Sequence, residues 1–144
     1  MYWANFLHIY QPAEQQKDIL ESVTAQSYRP IIEGLKKAKR VRLTFNINGS
    51  LLELFDKDGY RDIIDILREL GSEGRVEFTS SAKYHAFLPF LKDDEVIRQI
   101  KINDETNKFF LGRAYKPQGF FPPEMAYREN LAPIVEDLGF KWII

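Results

Sequence analysis

The sequence lacks several features that would assign it to a special class of protein. It contains no cysteine, which excludes disulfide bonds and thiolate metal sites. No stretch approaches the ~20 apolar residues of a membrane-spanning helix, and the formal net charge of −1 gives no electrostatic reason to expect nucleic acid or an anionic membrane as a partner. No basic region precedes the first apolar run, so we expect no signal peptide and a cytoplasmic location.

The remaining composition is that of an ordinary globular domain. The 144 residues are 44% hydrophobic and 28% charged, which suits one modest domain with its own core. Aromatic residues make up 14% of the chain, and they can serve either a core or a sugar-binding cleft. Composition therefore sets the size of the domain and leaves its function open.

Segments typical of strands and of helices alternate along the whole chain. Short apolar runs predict strands over residues 2–9, 41–47, 76–79, 118–121 and 140–144. Helical spacing between them predicts helices over 13–26, 30–40, 51–55, 60–70, 93–110 and 129–138. No pair of strands has the turn signals of a hairpin, so the order predicts an α/β fold with a parallel sheet and right-handed crossovers.

Several residues carry helix start and stop signals. Ser50 with Glu53 three residues later has the pattern of a capping box. Asp93 or Asp94 is expected to cap the longest helix, and Gly71 is expected just past the end of the helix before it. Apolar spacing in the longest helix turns these residues inward: Val96, Ile97, Ile100, Phe109 and Phe110.

The unusual polar residues fall at one end of the predicted strands. In parallel βα folds the functional groups lie at the carboxyl ends of the strands. In this sequence those positions hold His8, Gln11, Asn46, Asn48, Ser80, Ser81, Tyr84, His85 and Glu124. Both histidines of the chain are in this set, which predicts a functional site along this edge of the sheet.

Glu124 is the strongest catalytic candidate. Pro122 and Pro123 precede it, fix the backbone and favour extended geometry, so they give the carboxylate a stiff support at the end of a strand. The neighbours are apolar and aromatic, with Tyr127 just beyond. A carboxylate held rigidly in a partly dry, aromatic place suits the nucleophile or the acid of a glycosidase. The alternative is a surface glutamate that follows a proline-rich turn.

The other candidates also have structural alternatives. His8 ends an apolar strand and could be a hydrogen-bonded core histidine, and Gln11 could be a turn residue before Pro12. Asn46 precedes a glycine-containing turn, where asparagine is common for backbone reasons. His85 lies in a loop of ten residues between strand and helix, which is longer than such a loop requires and favours a functional role.

Three motifs in order resemble those of a known enzyme family. They read HIYQP at residues 8–12, EFTSSAKYH at 77–85 and GFFPPE at 119–124. Together they are similar to motifs in the N-terminal part of glycoside hydrolase family 57. This chain has Tyr10 where the family has a second histidine, Ala86 where proline often follows the histidine, and Phe121 where tryptophan is usual.

The resemblance implies a fold, an activity and roles for named residues. The implied fold is a parallel (β/α) partial barrel with about five strands of a seven-stranded TIM-like barrel, incomplete at its C-terminus, over residues 1–144. The implied activity is on α-glucans or related oligosaccharides, with retention of configuration, with Glu124 as the nucleophile and without a cofactor. The residues expected to contact substrate are His8, Gln11, Asn46, His85, Phe121 and Tyr127.

A retaining glycosidase needs a second carboxyl group as its general acid. The family's acid is an aspartate farther along the chain than Ile144, and no carboxylate in this sequence matches it. Glu77 is the only other acidic residue near the expected site, since Glu136 and Asp137 lie on the last predicted helix. We therefore expect a C-terminal segment or a second chain to complete the barrel and to supply the acid.

Two other functions stay open. The first is a non-catalytic domain that binds carbohydrate or a partner protein and keeps the cleft without the chemistry. The second is a metal-dependent hydrolase similar to the polysaccharide deacetylases, whose ligands are one aspartate and two histidines. The two histidines of this chain are far apart in the sequence, with no Asp-Asp or His-x-x-x-His pair, so no metal site is expected.

Overall fold

The structure is a computed structural model that describes residues 4–144. Five strands lie within this range: β1 Phe6–Ile9, β2 Leu43–Ile47, β3 Val76–Thr79, β4 Gly119–Phe120 and β5 Trp142–Ile143. Each observed strand lies within the range predicted for it, and most are shorter than the prediction. The predicted start of the first strand at Tyr2 is outside the described residues. The α/β class and the five strand positions are therefore confirmed.

All the strand pairs are parallel, as predicted, but the strands do not form one continuous sheet. β1, β2 and β3 pair side by side in that order, and β4 pairs with β5. A single parallel bridge between Ser80 and Phe120 connects the two sheets. β4 has only two residues because Pro122 and Pro123 follow it and cannot donate ladder hydrogen bonds.

Helices connect the strands. The α-helices are α1 Lys17–Val23, α2 Arg29–Lys37, α3 Gly49–Lys57, α4 Arg61–Ser72, α5 Asp93–Leu111 and α6 Leu131–Asp137. A π-helical turn over Thr24–Tyr28 joins α1 to α2. Pro30 follows in the first turn of α2, where a missing N–H donor is tolerated. No helix in residues 4–144 is both long enough and apolar enough to cross a membrane.

The strand register separates a packed face of the first sheet from a polar one. Leu7, Phe45 and Phe78 lie in one row across the three strands, and both phenylalanines are almost fully buried in the main core. The neighbouring row on the opposite face is polar and consists of His8, Asn46 and Thr79. A second, smaller core forms around β4, α5 and α6.

The predicted capping box of α3 is wrong. The helix begins at Gly49, with Asn48 in the N-cap position and no side-chain cap. The Ser50 hydroxyl instead lies 3.5 Å from the carbonyl oxygen of Gln11, and Glu53 pairs with Lys83 at 2.7 Å. Both side chains therefore contact residues distant in sequence and do not cap the helix.

The predicted cap of α5 and the predicted inward position of Phe109 are also wrong. α5 begins at Asp93 itself, whose carboxylate binds Arg128 and Asn130. The ring of Phe109 is 79% exposed. The buried side of α5 carries amide side chains, notably Asn103, as well as apolar ones. Hydrophobic spacing alone therefore predicted the wrong inward side of this helix.

Gly71 lies inside α4 and not beyond its end, which corrects the predicted stop signal. A Cβ atom at this position would lie 2.7 Å from the ring of Phe78. The glycine therefore permits close helix–sheet packing. The helix ends one residue later, at Ser72, and the following left-handed glycine is Gly74.

We predict that Gly119→Ala destabilises the second sheet. A Cβ atom at Gly119 would lie 2.1 Å from the Trp142 indole of β5, so the strands must separate. The expected loss is about 1–3 kcal/mol in the free energy of unfolding, measured by urea denaturation.

The matched control for this substitution is Gly34→Ala. Gly34 lies in α2, and a Cβ atom there has no heavy atom of residues 4–144 within 4 Å. This variant should gain about 0.5–1 kcal/mol, because alanine favours the helix. Equal effects of the two substitutions would contradict the described packing of β4 against β5.

Candidate active site

An open depression lies at the carboxyl end of β1 and contains both histidines and Glu124. Its volume is about 330 Å³. Its lining residues are Leu7, His8, Ile9, Tyr10, Ser27, Tyr28, Ile31, His85 and Glu124. This volume falls at the lower end of the ~300–1,000 Å³ typical of small-molecule sites. The loops after β1, β3 and β4 thus meet at one place.

His8 is held by the strand register. Its partner in the ladder is Asn46, and the His8 Nδ1 atom lies 2.7 Å from Asn46 Oδ1. Asn46 is fully buried, and its nitrogen donates to Thr79 and to the carbonyl oxygen of Ser80. Asn46 therefore does not line the depression and influences it only through the hydrogen bond with His8.

His85 stacks against the residues that follow β1. Its ring centroid is 5.1 Å from that of His8 and 4.2 Å from that of Tyr10. The Nε2 atoms of the two histidines are 3.2 Å apart. His85 has a left-handed backbone with φ of 54°, which is uncommon for a residue other than glycine. These contacts fix the plane and the orientation of the imidazole.

Glu124 sits in a strained turn beside His85. Its backbone is left-handed, with φ of 59° and ψ of 15°, inside the short 3₁₀ turn Pro123–Met125. The Glu124 Oε1 atom lies 3.6 Å from His85 Nδ1. The carboxylate side chain is 68% exposed, so the partly dry setting predicted from the sequence is wrong for the described residues. Strain of this kind in a non-glycine residue occurs most often at functional sites.

The remaining predicted site residues have different positions. Phe121 is 6% exposed, and its ring packs 5.0 Å from the centroid of His8, so it supports that imidazole from below. Gln11 donates from Nε2 to the Tyr28 hydroxyl at 2.9 Å and does not line the depression. Tyr127 is 56% exposed and lies outside the lining.

Two residues in or near the site, Tyr10 and Asp104, were missed from the sequence. Tyr10 stacks on His85 and lines the depression, although it stands where a histidine was expected. Asp104 on α5 accepts hydrogen bonds at 2.6 Å from both Ser80 and Tyr115, behind the carboxyl end of β3. Burial raises the pKa of Asp104. The spacing of α5 gave no signal for this contact.

Burial dominates the electrostatics of both histidines. It lowers the pKa of His8, against the hydrogen bond that His8 donates to Asn46 Oδ1 and the charge of Glu124, which raise it. It also lowers the pKa of His85, and repulsion from His8 acts in the same direction, while Glu124 opposes both. The lowered pKa values therefore favour the neutral form of both imidazoles.

Glu124 is the only acidic residue among those that line the depression in the described part of the chain. Glu77 lies on the same face of β3 as Thr79 but two residues nearer the start of the strand. Residues 4–144 contain no group of three or more histidine, aspartate or glutamate side chains placed to hold a metal ion. The depression thus offers one carboxylate, two imidazoles and an aromatic wall.

We predict that the two histidines make stability depend on pH in a definite direction. Since their pKa values are lowered by folding, the unfolded chain binds more protons between the folded and unfolded pKa values. Their contribution to the free energy of unfolding is fully present above about pH 6.5 and is lost as the pH falls through the folded values.

The measurement is urea denaturation from about pH 5 to pH 8, compared with the double variant His8→Gln/His85→Gln. The difference in unfolding free energy between wild type and variant should rise with pH and then become constant. A difference that falls as the pH rises would contradict the lowered pKa values of the two histidines.

Comparison with known proteins identifies the family. The model of Glycosyl hydrolase family 57 matches residues 2–144. Alpha-amylase 1 of Dictyoglomus thermophilum is 23% identical over 145 residues, an alignment that covers 100% of this chain and 21% of the amylase. This chain therefore spans about a fifth of the length of the curated relatives it matches.

Solved structures show the same fold. The 4-alpha-glucanotransferase of Thermococcus litoralis superposes with a TM-score of 0.88 at 23% identity, over 97% of this chain and 21% of that one. A CE4 family pseudoenzyme of Bacillus anthracis superposes with a TM-score of 0.67 at 17% identity, over 96% of this chain and 41% of that one. At such low sequence identity, these superpositions show a shared fold and nothing further. With the family model matching nearly every residue, the chain belongs to glycosyl hydrolase family 57.

Proposed function

We propose that this chain forms the nucleophile-bearing part of a retaining glycoside hydrolase or glycosyltransferring enzyme that acts on α-glucans. Glu124 is the nucleophile in this proposal. Relatives named alpha-amylase and 4-alpha-glucanotransferase support the substrate class. The observation that carries the proposal is the geometry of Glu124: a left-handed turn after two prolines places its carboxylate beside His85, in the depression at the strand ends.

The chemistry explains why the site uses a fixed carboxylate. In a retaining mechanism one carboxylate oxygen attacks the anomeric carbon, the glycosidic oxygen leaves with a proton from the general acid, and a covalent glycosyl-enzyme forms. Water or a second sugar hydroxyl then attacks that carbon and releases the carboxylate, while the deprotonated acid residue takes up the proton of the attacking group. Pro122 and the left-handed turn limit the motion of Glu124, which lowers the entropic cost of reaching the attacking position.

In this proposal the general acid comes from outside this chain. A retaining pair of carboxyl groups is about 5–5.5 Å apart, and Glu124 is the only acid among the described residues that line the depression. A C-terminal segment or a second chain would add the remaining strands of the barrel and bring the acid to the site. We assign substrate contacts to His8, His85 and Tyr10.

We assign Gln11 and Tyr127 to the rim of the substrate site. Gln11 is partly buried and tied to Tyr28, and Tyr127 is exposed beyond the lining. Asn46 and Phe121 act from behind His8 and do not face the sugar. Compared with the set expected from the sequence, the proposed contacts therefore lose Asn46 and Phe121 and gain Tyr10.

A second function has one observation in its favour. The described depression has one carboxylate and no second acid, so the chain by itself has the features of a sugar-binding site without a complete catalytic pair. This alternative predicts that a maltooligosaccharide changes the tyrosine or tryptophan fluorescence of the 144-residue chain without any turnover. The absence of any sugar-dependent signal would contradict a substrate site within this chain.

The deacetylase alternative receives support only from the fold. The CE4 likeness rests on 17% identity, and residues 4–144 bring together no three candidate metal ligands. The described residues therefore do not fit the metal of such an enzyme, and we derive no metal-assisted step.

We predict that Glu124→Gln abolishes turnover in the enzyme that contains this chain. The amide cannot attack the anomeric carbon, so the rate on a maltooligosaccharide should fall on the order of 10³-fold or more, with little change in thermal stability. The rate is measured by chromatography of the released sugars.

The matched control is Glu129→Gln, an exposed glutamate that follows the same turn. This variant should retain the wild-type rate. Turnover retained in Glu124→Gln would contradict the nucleophile assignment, and equal losses in both variants would show an effect on the turn rather than on the chemistry.

A further inference from the structure

The partners of Asn46 fix which way its amide points. Its Nδ2 atom lies 2.8 Å from Thr79 Oγ1 and 3.4 Å from the carbonyl oxygen of Ser80. A carbonyl oxygen can only accept a hydrogen bond, so the amide nitrogen must be on that side. The amide oxygen then faces His8 Nδ1 at 2.7 Å, and the proton of this hydrogen bond must belong to His8.

The tautomer of His8 determines that of His85. A neutral imidazole with its proton on Nδ1 has a bare Nε2 atom. His8 Nε2 lies 3.2 Å from His85 Nε2, and two such atoms form a hydrogen bond only when one of them carries a proton. That proton is therefore on His85, and neutral His85 has its bare Nδ1 atom 3.6 Å from Glu124 Oε1.

We propose that Asn46 is a positioning residue that acts through His8 to hold His85 in its Nε2–H tautomer, with the unprotonated Nδ1 atom facing Glu124. Nδ1 is then the atom of His85 that takes up the next proton. Once protonated there, His85 can donate a charge-assisted hydrogen bond to the carboxylate. While His85 is neutral, the carboxylate oxygen stays free of that bond.

Three titratable groups of the described residues face His85. His8 and Tyr10 face it from the end of β1 and the following loop, and Glu124 faces it from the turn after β4. Lys83, on the same loop as His85, is engaged by Glu53 at 2.7 Å. Apart from burial, which lowers the pKa of His85 most, the proton on His85 thus responds to the charges of His8 and Glu124.

One consequence rests on the proposed function. A charge-assisted hydrogen bond to Oε1 stabilises the carboxylate and makes it a weaker nucleophile, so protonation of His85 would slow the attack by Glu124. The enzyme should then lose activity on the acid side as His85 becomes charged. The tautomers themselves do not depend on this consequence.

The test is the nitrogen spectrum of the two imidazoles. The chain has only two histidines, so a ¹⁵N-labelled sample and the variant His8→Gln assign both rings. At a pH above both pKa values, long-range ¹H–¹⁵N correlations should show His8 protonated at Nδ1 and His85 protonated at Nε2. Two rings in the same tautomer, or the reverse pattern, would overturn the proposal.

Substitution of Asn46 tests its role as the source of this pattern. Asn46→Leu removes the acceptor, so His8 should shift toward its Nε2–H form and His85 should shift toward its Nδ1–H form together. The control Asn107→Leu removes another fully buried amide, which donates to the carbonyl oxygen of Ile47, and should leave both tautomers unchanged. Unchanged tautomers in Asn46→Leu would overturn the proposal.

A second variant covers the case in which Asn46→Leu does not fold. Asn46→Asp keeps an acceptor at His8 Nδ1 and adds a negative charge, so His8 should keep its tautomer and titrate at a higher pH than in the wild type. A change of tautomer at either ring in Asn46→Asp would overturn the proposal.

This experiment separates the two proposals. The spectrum reports on the imidazoles without any sugar, whereas the nucleophile assignment is tested by turnover in Glu124→Gln. The expected tautomers together with an active Glu124→Gln enzyme would remove the proposed function and leave the role of Asn46 in place.

Discussion

The parallel register of β1, β2 and β3 is the constraint on which the rest of the structure depends. It places His8 beside Asn46 and Asn46 beside Thr79, while Phe45 and its neighbours on the opposite face fill the core. A shift of one residue in the register of β1 would exchange its two faces and turn the His8 side chain toward the helices that cover the core. Burial of the apolar row therefore also sets the positions of the polar row. The packing of the core thus holds the site residues in place.

The turn at Glu124 depends on the same edge of the sheet. Ser80 pairs with Phe120, and the Ser81 hydroxyl donates to the Phe121 carbonyl at 2.8 Å, so the end of β3 holds the strand that leads to the turn. A left-handed non-glycine residue costs about 1–3 kcal/mol and persists only where its surroundings enforce it. The carboxylate meets His85 because both of their loops are anchored at this edge.

The order of strands and helices could be predicted because apolar runs and helical spacing are local signals. Contacts between side chains that are distant in sequence could not be predicted. Glu53 has the spacing of a capping box, yet its carboxylate pairs with Lys83. Phe109 was misplaced because Asn103 and other amides form part of the buried side of α5, and hydrophobic spacing does not register amides. The stacking of Tyr10 on His85 joins residues 75 positions apart and has no local signal. The motifs did point to residues that meet in the depression, namely His8, His85 and Glu124.

The central claim is that Glu124 forms a bond to the sugar, and direct detection of that bond tests it best. The enzyme that contains this chain would be treated with a fluorinated α-maltosyl fluoride, which slows release of the covalent intermediate, and then digested and analysed by mass spectrometry. The account predicts one added glycosyl group on the peptide that contains Glu124. A label on another carboxylate, or a product of inverted configuration without any label, would contradict it.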